Sequence, residues 1–235
     1  MFGTIVNAVL IVIGGSIGTI FGNKINAKYT NSIMTVMGLV VACIGIQGAA
    51  GTKSFLVVVL SMVFGIIIGI FFKLDDRINS AGDWAKNKLQ NTPLCKGPFA
   101  DAVVTSSVLF SVGTMAILGS IQAGLNHDYT ILFTKSVMDF ITSIAFASAL
   151  GPGVILSAIP VFLFQGFVTI LAGTAEPILT PEVINEMSAV GGPIFLAMSA
   201  NLINLRTERF KVGDMLPAIF LPIAFIPLIK FLGLW

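Results

Sequence analysis

The sequence predicts an all-α integral membrane protein, a polytopic bundle of about eight transmembrane helices. Composition and pattern carry that prediction. Of 235 residues, 56% are hydrophobic and only 10% charged, whereas a soluble domain carries about 25% charged residues. Apolar runs of about 20 residues recur along the chain, each long enough to cross a hydrocarbon layer of ~30 Å. A soluble protein with large core helices fails on the same numbers, because too little polar surface remains to cover such a core.

The spans fall at 3–22, 31–50, 54–72, 99–121, 130–150, 153–173, 186–205 and 214–234. The opening MFGTIVNAVLIVIGGSIG lacks a basic n-region, stays apolar past signal-peptide length and has no A-x-A site, so it reads as a first span. The one long connection is 73–98. There Leu74, Ile78, Ala81, Ala85 and Leu89 recur at helical spacing with polar residues between them, which predicts a cytoplasmic surface helix over 74–92. Pro93 and Pro98 close that connection.

Lys and Arg in short loops set orientation. With the N-terminus outside, the inner connections hold Lys24, Lys28, Lys73, Arg77, Lys86, Lys88, Lys96, Arg206, Arg209 and Lys211, ten of the 13 basic residues. The connection 174–186 carries Glu176, Glu182 and Glu186 and no basic residue, as suits an outer loop. Both termini are therefore expected outside, with an even number of spans.

Within this single transmembrane domain, 1–235, a candidate inverted repeat relates spans one to three with spans six to eight. Residues 34–38 read MTVMG and residues 187–191 read MSAVG, each early in a span. At a similar offset Ile5, Ala8, Thr19 and Ile20 meet Ile155, Ala158, Thr169 and Ile170. The halves would be 1–73 and 153–235, of opposite topology, with 99–151 an inserted helix pair. Inverted repeats of this kind mark secondary transporters.

Several spans contain helix-weakening residues. Span one holds Gly14 and Gly15 in GGSIG, span six Pro160, and span seven Gly191, Gly192 and Pro193. Pro217, Pro222 and Pro227 fall in span eight. Two readings stay open for these positions: close helix packing through small residues, or unwound backbone facing a ligand.

The polar residues inside the spans are the candidate site. A charge at a helix centre costs about 2.5–3.5 kcal/mol on insertion scales. Lys135, near the start of span five, is able to snorkel to the outer interface. Asp139 is deeper and shorter, so it must pair, become protonated or face water. Their spacing puts them on one helix face, flanked by Ser136, Thr142 and Ser143. Ser107 and Ser111 in span four and Gln165 in span six are further candidates for a solute or ion path, with Asn7, Asn201 and Asn204 behind them. A structural Lys135–Asp139 ion pair is the competing reading.

Other classes lack support. The net charge is +2 with no basic patch, so nucleic acid is not an expected partner. Cys43 and Cys95 suggest no structural disulfide, and no metal-ligand cluster, phosphate loop or nucleophile elbow is present. No cofactor, metal or enzyme activity is expected.

The stretches LFSVGTMAILGSIQAGL (109–125), TKSVMDFITSIAFASALGPGVILSAIPVFLFQG (134–166) and VGDMLPAIFLP (212–222), with the opening GTIVNAVLIVIGGSIG, resemble the bacterial YqgA/YdfK-like membrane proteins, a family named for its unknown function. The resemblance implies a protein of similar size in the bacterial cytoplasmic membrane and brings no activity or site residues. Three functions are expected in order: a secondary transporter or permeation protein for a small polar solute or ion, coupled through Asp139; an ion channel; and a non-transporting membrane regulator or assembly partner. The small-residue stripes would suit a homodimer.

Overall fold

A computed structural model describes residues 1–22, 27–80, 99–111, 114–175, 177–205 and 207–233. Among them there is no strand. Hydrocarbon leaves no water for unpaired backbone groups, so continuous helix is the form these apolar runs take. The helices are α1 (Phe2–Gly22), α2 (Ala27–Ala50), α3 (Phe55–Phe72), α4 (helical over 74–80), α5 (Phe99–Ser111), α6 (Thr114–Leu125), α7 (Thr130–Leu150), α8 (Gly153–Leu156), α9 (Ala158–Ile170), α10 (Ala172–Ala175), α11 (Pro181–Leu202) and α12 (Pro222–Phe231). A 3-10 helix, Val212–Phe220, precedes α12.

Five segments are long and apolar enough to cross a membrane: Phe2–Gly22, Phe55–Phe72, Thr130–Leu150, Gly153–Ile170 and Pro181–Leu202. Two bent helix pairs bring the number to seven if each is one span. Asp101–Ser111 and Met115–Leu125 meet at 58°, and Val212–Phe220 meets Pro222–Phe231 at 48°. Within α2 the apolar stretch is Thr35–Ala50. The chain is a polytopic α-helical membrane protein. Its outward side chains include Ile5, Val9, Phe64, Ile67, Ile141 and Phe167, so apolar groups stand where a soluble fold would place charge.

Contacts group the chain into two compact units. The first comprises Met1–Met37, Ile78–Ser111 and Met115–Ala175; the second comprises Gly38–Arg77, Val112–Thr114 and Glu176–Trp235. In the first, α1 runs parallel to α7. Gly3 sits against Leu132, Gly14 against Phe140 and Ser143, Gly18 against Ile144 and Ala147, and Gly22 against Ser148. The same helix is antiparallel to the sixth span: Gly15 meets Ile155, while Met1 meets Gly166. In the second unit α3 is antiparallel to the 3-10 helix, with Gly65 on Ala218 and Gly69 on Asp214. There α2 is antiparallel to α11, with Gly38 on Ser199 and Gly48 on Ser188. Within each unit, then, α1 is parallel to α7, and the contacting spans one and six, two and seven, and three and eight are antiparallel.

The glycines decide between the two readings left open for the breaks. Gly14 and Gly15 do not unwind α1, which is continuous. Any Cβ on Gly14 or Gly18 would collide with α7 backbone carbonyls, those of Phe140 and Ile144. The glycines cost helix propensity of about 1 kcal/mol each, and the close approach they allow compensates. Gly191, Gly192 and Pro193 also lie inside an unbroken α11. A Cβ on Gly192 would come within 2.6 Å of Gly45 O on α2. Pro193 only forgoes one intrahelical bond. Pro160 lies in the first turn of α9, and the irregular residue is Ser157 just before it. A proline is tolerated there because first-turn N–H groups have no helical partner. Pro222 opens α12 in the same way.

Two boundaries differ from expectation. The fourth span, expected over 99–121, runs as α5 and α6 to Leu125. The seventh begins at Pro181, not at residue 186. Thr180 caps it, accepting a bond from Val183 N at 3.4 Å, and Pro181 supplies a preset first turn. That earlier start draws Glu182 and Glu186 out of the expected loop. Of the expected surface helix 74–92, residues 74–80 are helical, with Leu74 and Ile78 half-buried and Asp76 and Arg77 exposed. The remainder lies outside the described residues, as do Lys24, Cys95, Glu176 and Arg206.

Candidate functional site

The site is built on α7. Asp128 starts this helix: its Oδ1 accepts from Thr130 N at 2.9 Å. The hydroxyl and N–H of Thr130 hold the Asp128 carboxyl below the usual carboxylate range. About two and three turns beyond Asp128, Lys135 and Asp139 project from the same face and form a buried ion pair through Nζ and Oδ2. Lys135 and Asp139 are each only 7% exposed. The lysine therefore does not snorkel to the interface: it turns to the carboxylate one turn on.

Two helices complete the cluster. Asn7 of α1 donates from Nδ2 to Asp139 Oδ2 at 3.0 Å and to Gln165 Oε1 of α9 at 3.2 Å. α1 sits close enough for this because glycines line its contact with α7. A chain of side-chain bonds thus runs Lys135–Asp139–Asn7–Gln165 across the first, fifth and sixth spans. Among the described residues both hydrogen bonds to the carboxylate come from side chains, and both fall on Oδ2. Asn7 and Gln165 are 0% exposed, yet among the described residues Asn7 Oδ1 and Gln165 Nε2 have no hydrogen-bond partner, nor does Thr4 Oγ1, also on α1. Native interiors leave few such atoms.

The expected hydroxyl path is not continuous with this cluster. Ser136 donates to Leu132 O at 2.6 Å, Thr142 to Met138 O at 2.8 Å, and Ser143 to Phe140 O at 2.8 Å. Ser107 donates to Val103 O at 2.6 Å. Each hydroxyl satisfies itself on its own helix, the habit of Ser and Thr in such segments. Thr142 is also only half-buried, and Ser111 ends α5 at the bend. Of the candidates Lys135, Asp139 and Gln165 come together; Ser136, Thr142, Ser143, Ser107 and Ser111 are not hydrogen-bonded to them among the described residues. Asn201 belongs to structure: it exchanges two bonds of 2.9 Å with the backbone of Phe210 and pins the loop after α11.

Asn7 is the residue that sequence reasoning underrated. It is a lone amide in an apolar span, and that was visible; its proximity to a residue 132 positions away was not. Burial of carboxylates is also wider than expected. Glu186 is 0% and Asp214 4% exposed, both in the second unit. Glu186 accepts from Thr52 Oγ1 and Lys53 N, each at 2.6 Å. Asp214 accepts from Asp75 N at 3.0 Å, and Gly213 N donates back to Asp75 Oδ1 at 2.9 Å. Both hold backbone turns at helix starts. Among the described residues no group of His, Cys, Asp and Glu is arranged to hold a metal.

A multi-span helical bundle with a buried charge cluster defines a class: integral membrane proteins with a polar interior. The comparisons place the chain within it. It belongs to the family described as "Protein of unknown function (DUF554)", whose sequence model matches residues 2–227. It is 34% identical to the uncharacterised membrane protein YdfK of Bacillus subtilis (strain 168), over 100% of this chain and 99% of that one. It is 29% identical to the uncharacterised protein YqgA of Escherichia coli (strain K12), over 94% of each. No solved structure matches it.

Proposed function

We propose that the protein is a secondary transporter or related permeation protein for a small polar solute, with the Asp139 cluster at its centre. The observation that carries this reading is the Asp139 carboxylate itself. It is buried among three spans, held among the described residues by Lys135 and Asn7, and flanked by buried amide atoms with no partner there. A charge so placed is expensive, and intramembrane ionisable groups mark substrate or ion pathways and proton relays. Side-chain partners are able to rearrange as a ligand or proton arrives; a backbone clamp is not. The contacts between spans one and six, two and seven, and three and eight, each antiparallel, support an inverted-repeat origin. The basic loops favour a cytoplasmic membrane setting with both termini outside, and the small-residue stripes a homodimer. No enzyme chemistry is proposed.

A second reading is a non-transporting membrane partner in which the ion pair only locks α7. It draws on the self-satisfied hydroxyls of α5 and α7, which leave no continuous polar path. Purified protein in liposomes separates the two. The transport reading expects saturable solute or proton flux that Asp139→Asn abolishes. Flux equal to that of empty vesicles, together with stable co-purification of a partner, would favour the lock.

A further inference from the structure

The ion pair accounts for the charges at the Asp139 cluster but leaves its amides unexplained. An ionised carboxylate accepts hydrogen bonds and donates none. Asn7 must therefore turn its Nδ2 toward Asp139, and the same nitrogen reaches Gln165 Oε1. These two bonds fix both amides. Asn7 Oδ1 and Gln165 Nε2 are turned away, buried and without partners. Thr4 lies three residues before Asn7, on the same face of α1, and its hydroxyl is equally buried and unpartnered. What remains is an acceptor, a donor and a hydroxyl, each waiting for a complement.

The charge around this face is balanced. α1, α8 and α9 carry no charged side chain. On α7 the only two are Lys135 and Asp139, which neutralise each other. Among the described residues the helices packed on these four add Asp101, in the first turn of α5; outside the helices there are the amino group of Met1 and the Asp128 carboxylate just before α7. A bare ion taken into this interior would leave an uncompensated charge, which a low-dielectric site penalises heavily. A neutral molecule leaves the balance intact.

We propose that Thr4, Asn7 and Gln165 form a binding site for a small neutral solute with adjacent donor and acceptor, the chemistry of a carboxamide or urea. The solute's carbonyl oxygen accepts from Gln165 Nε2, its N–H donates to Asn7 Oδ1, and the Thr4 hydroxyl takes a second polar atom. Asp139 sets the direction of this face: while ionised it keeps the Asn7 nitrogen inward and the oxygen outward. The inference rests on the transport reading and narrows its cargo from any polar solute or ion to a neutral one.

Full-length protein in liposomes provides the test, with urea as probe. Stopped-flow light scattering follows urea entry, and ion-sensitive dyes follow potassium and chloride in the same vesicles. Urea is expected to enter faster than into empty vesicles, to saturate and to be competed by acetamide, while both ions stay at background. Gln165→Leu, which removes the donor and leaves the ion pair, should slow urea entry about tenfold, the worth of one buried hydrogen bond. Wild-type selectivity decides even if that variant fails to fold. Ion flux that depends on Asp139, without urea entry, overturns the neutral-solute site and leaves the transport reading standing. Urea entry unchanged by a folded Gln165→Leu overturns the site as drawn. The absence of both fluxes overturns the neutral-solute site.

Discussion

Two buried carboxylates teach opposite lessons. Glu186, in the second unit, meets Lys53 N and the Thr52 hydroxyl, and Asn185 beside it donates to Gly51 O at 2.8 Å. Two of its partners belong to the turn just before α3, so the charge holds that turn and sits near a helix N-terminus, where an anion is favoured. Asp139, in the first unit, meets side chains alone among the described residues, mid-helix, where the backbone has no spare donor to offer. The first arrangement is a fixed clamp. The second is a set of side chains with unpartnered polar atoms beside it among the described residues. Burial is therefore not the mark of function here; the kind of partner is.

The comparison breaks most visibly at Asp139. Asp139→Asn strands Lys135 in the interior, and losing one partner of a buried pair costs about 3–5 kcal/mol. Thermal unfolding in detergent should show the largest drop of any single substitution in the chain, with flux lost as well. Glu186→Ala comes next. It leaves the Lys53 N–H without its acceptor, a loss of about 1–3 kcal/mol, while flux in the folded fraction stays at the wild-type level. Lost flux with Glu186→Ala at unchanged stability would erase the distinction between clamp and site.

Gly18→Val sharpens the comparison from the packing side. A side chain there collides with Ile144 O and moves α1 off α7, taking Asn7 away from Asp139. Overpacking of this kind costs about 1–3 kcal/mol, and unlike Glu186→Ala it should lower flux too. Thr180→Ala removes the α11 cap at about 1 kcal/mol, read as faster amide exchange at Val183 and its neighbours. The smallest effect belongs to Lys230→Met. The Lys230–Glu182 pair has side chains 43% and 39% exposed, and such pairs contribute about 0–1 kcal/mol; its unfolding temperature should match the wild type at high salt.

Much of this fold was legible because lipid imposes length. The fifth span was read as 130–150 and is Thr130–Leu150; the apolar run and the polar NHD before it leave little choice. The Lys135–Asp139 pair was legible for the same local reason, four residues on one face. The start of α11 was missed although Thr180 and Pro181 announce it, because Glu182 and Glu186 read as loop when hydropathy alone sets the boundary. The glycine pairs were ambiguous in principle: GGSIG is compatible with unwinding or with contact, and only the α7 carbonyls beside Gly14 and Gly18 decide. The site was half legible. Gln165 and Asp139 stood out as polar groups in apolar spans, but the bridge through Asn7 joins three helices far apart in sequence. No spacing rule reaches across them.

The central claim is that the Asp139 cluster serves passage through the membrane and is more than a lock on α7. The double variant Lys135→Met with Asp139→Leu tests it most directly. Replacing a buried ion pair by apolar residues of similar volume is commonly neutral or stabilising, so unfolding temperature should return to the wild-type value or above. Flux through liposomes containing the folded double variant should remain at the empty-vesicle level. Recovery of flux along with stability would contradict the account, because a pair that oil can replace in every respect has only a structural part to play.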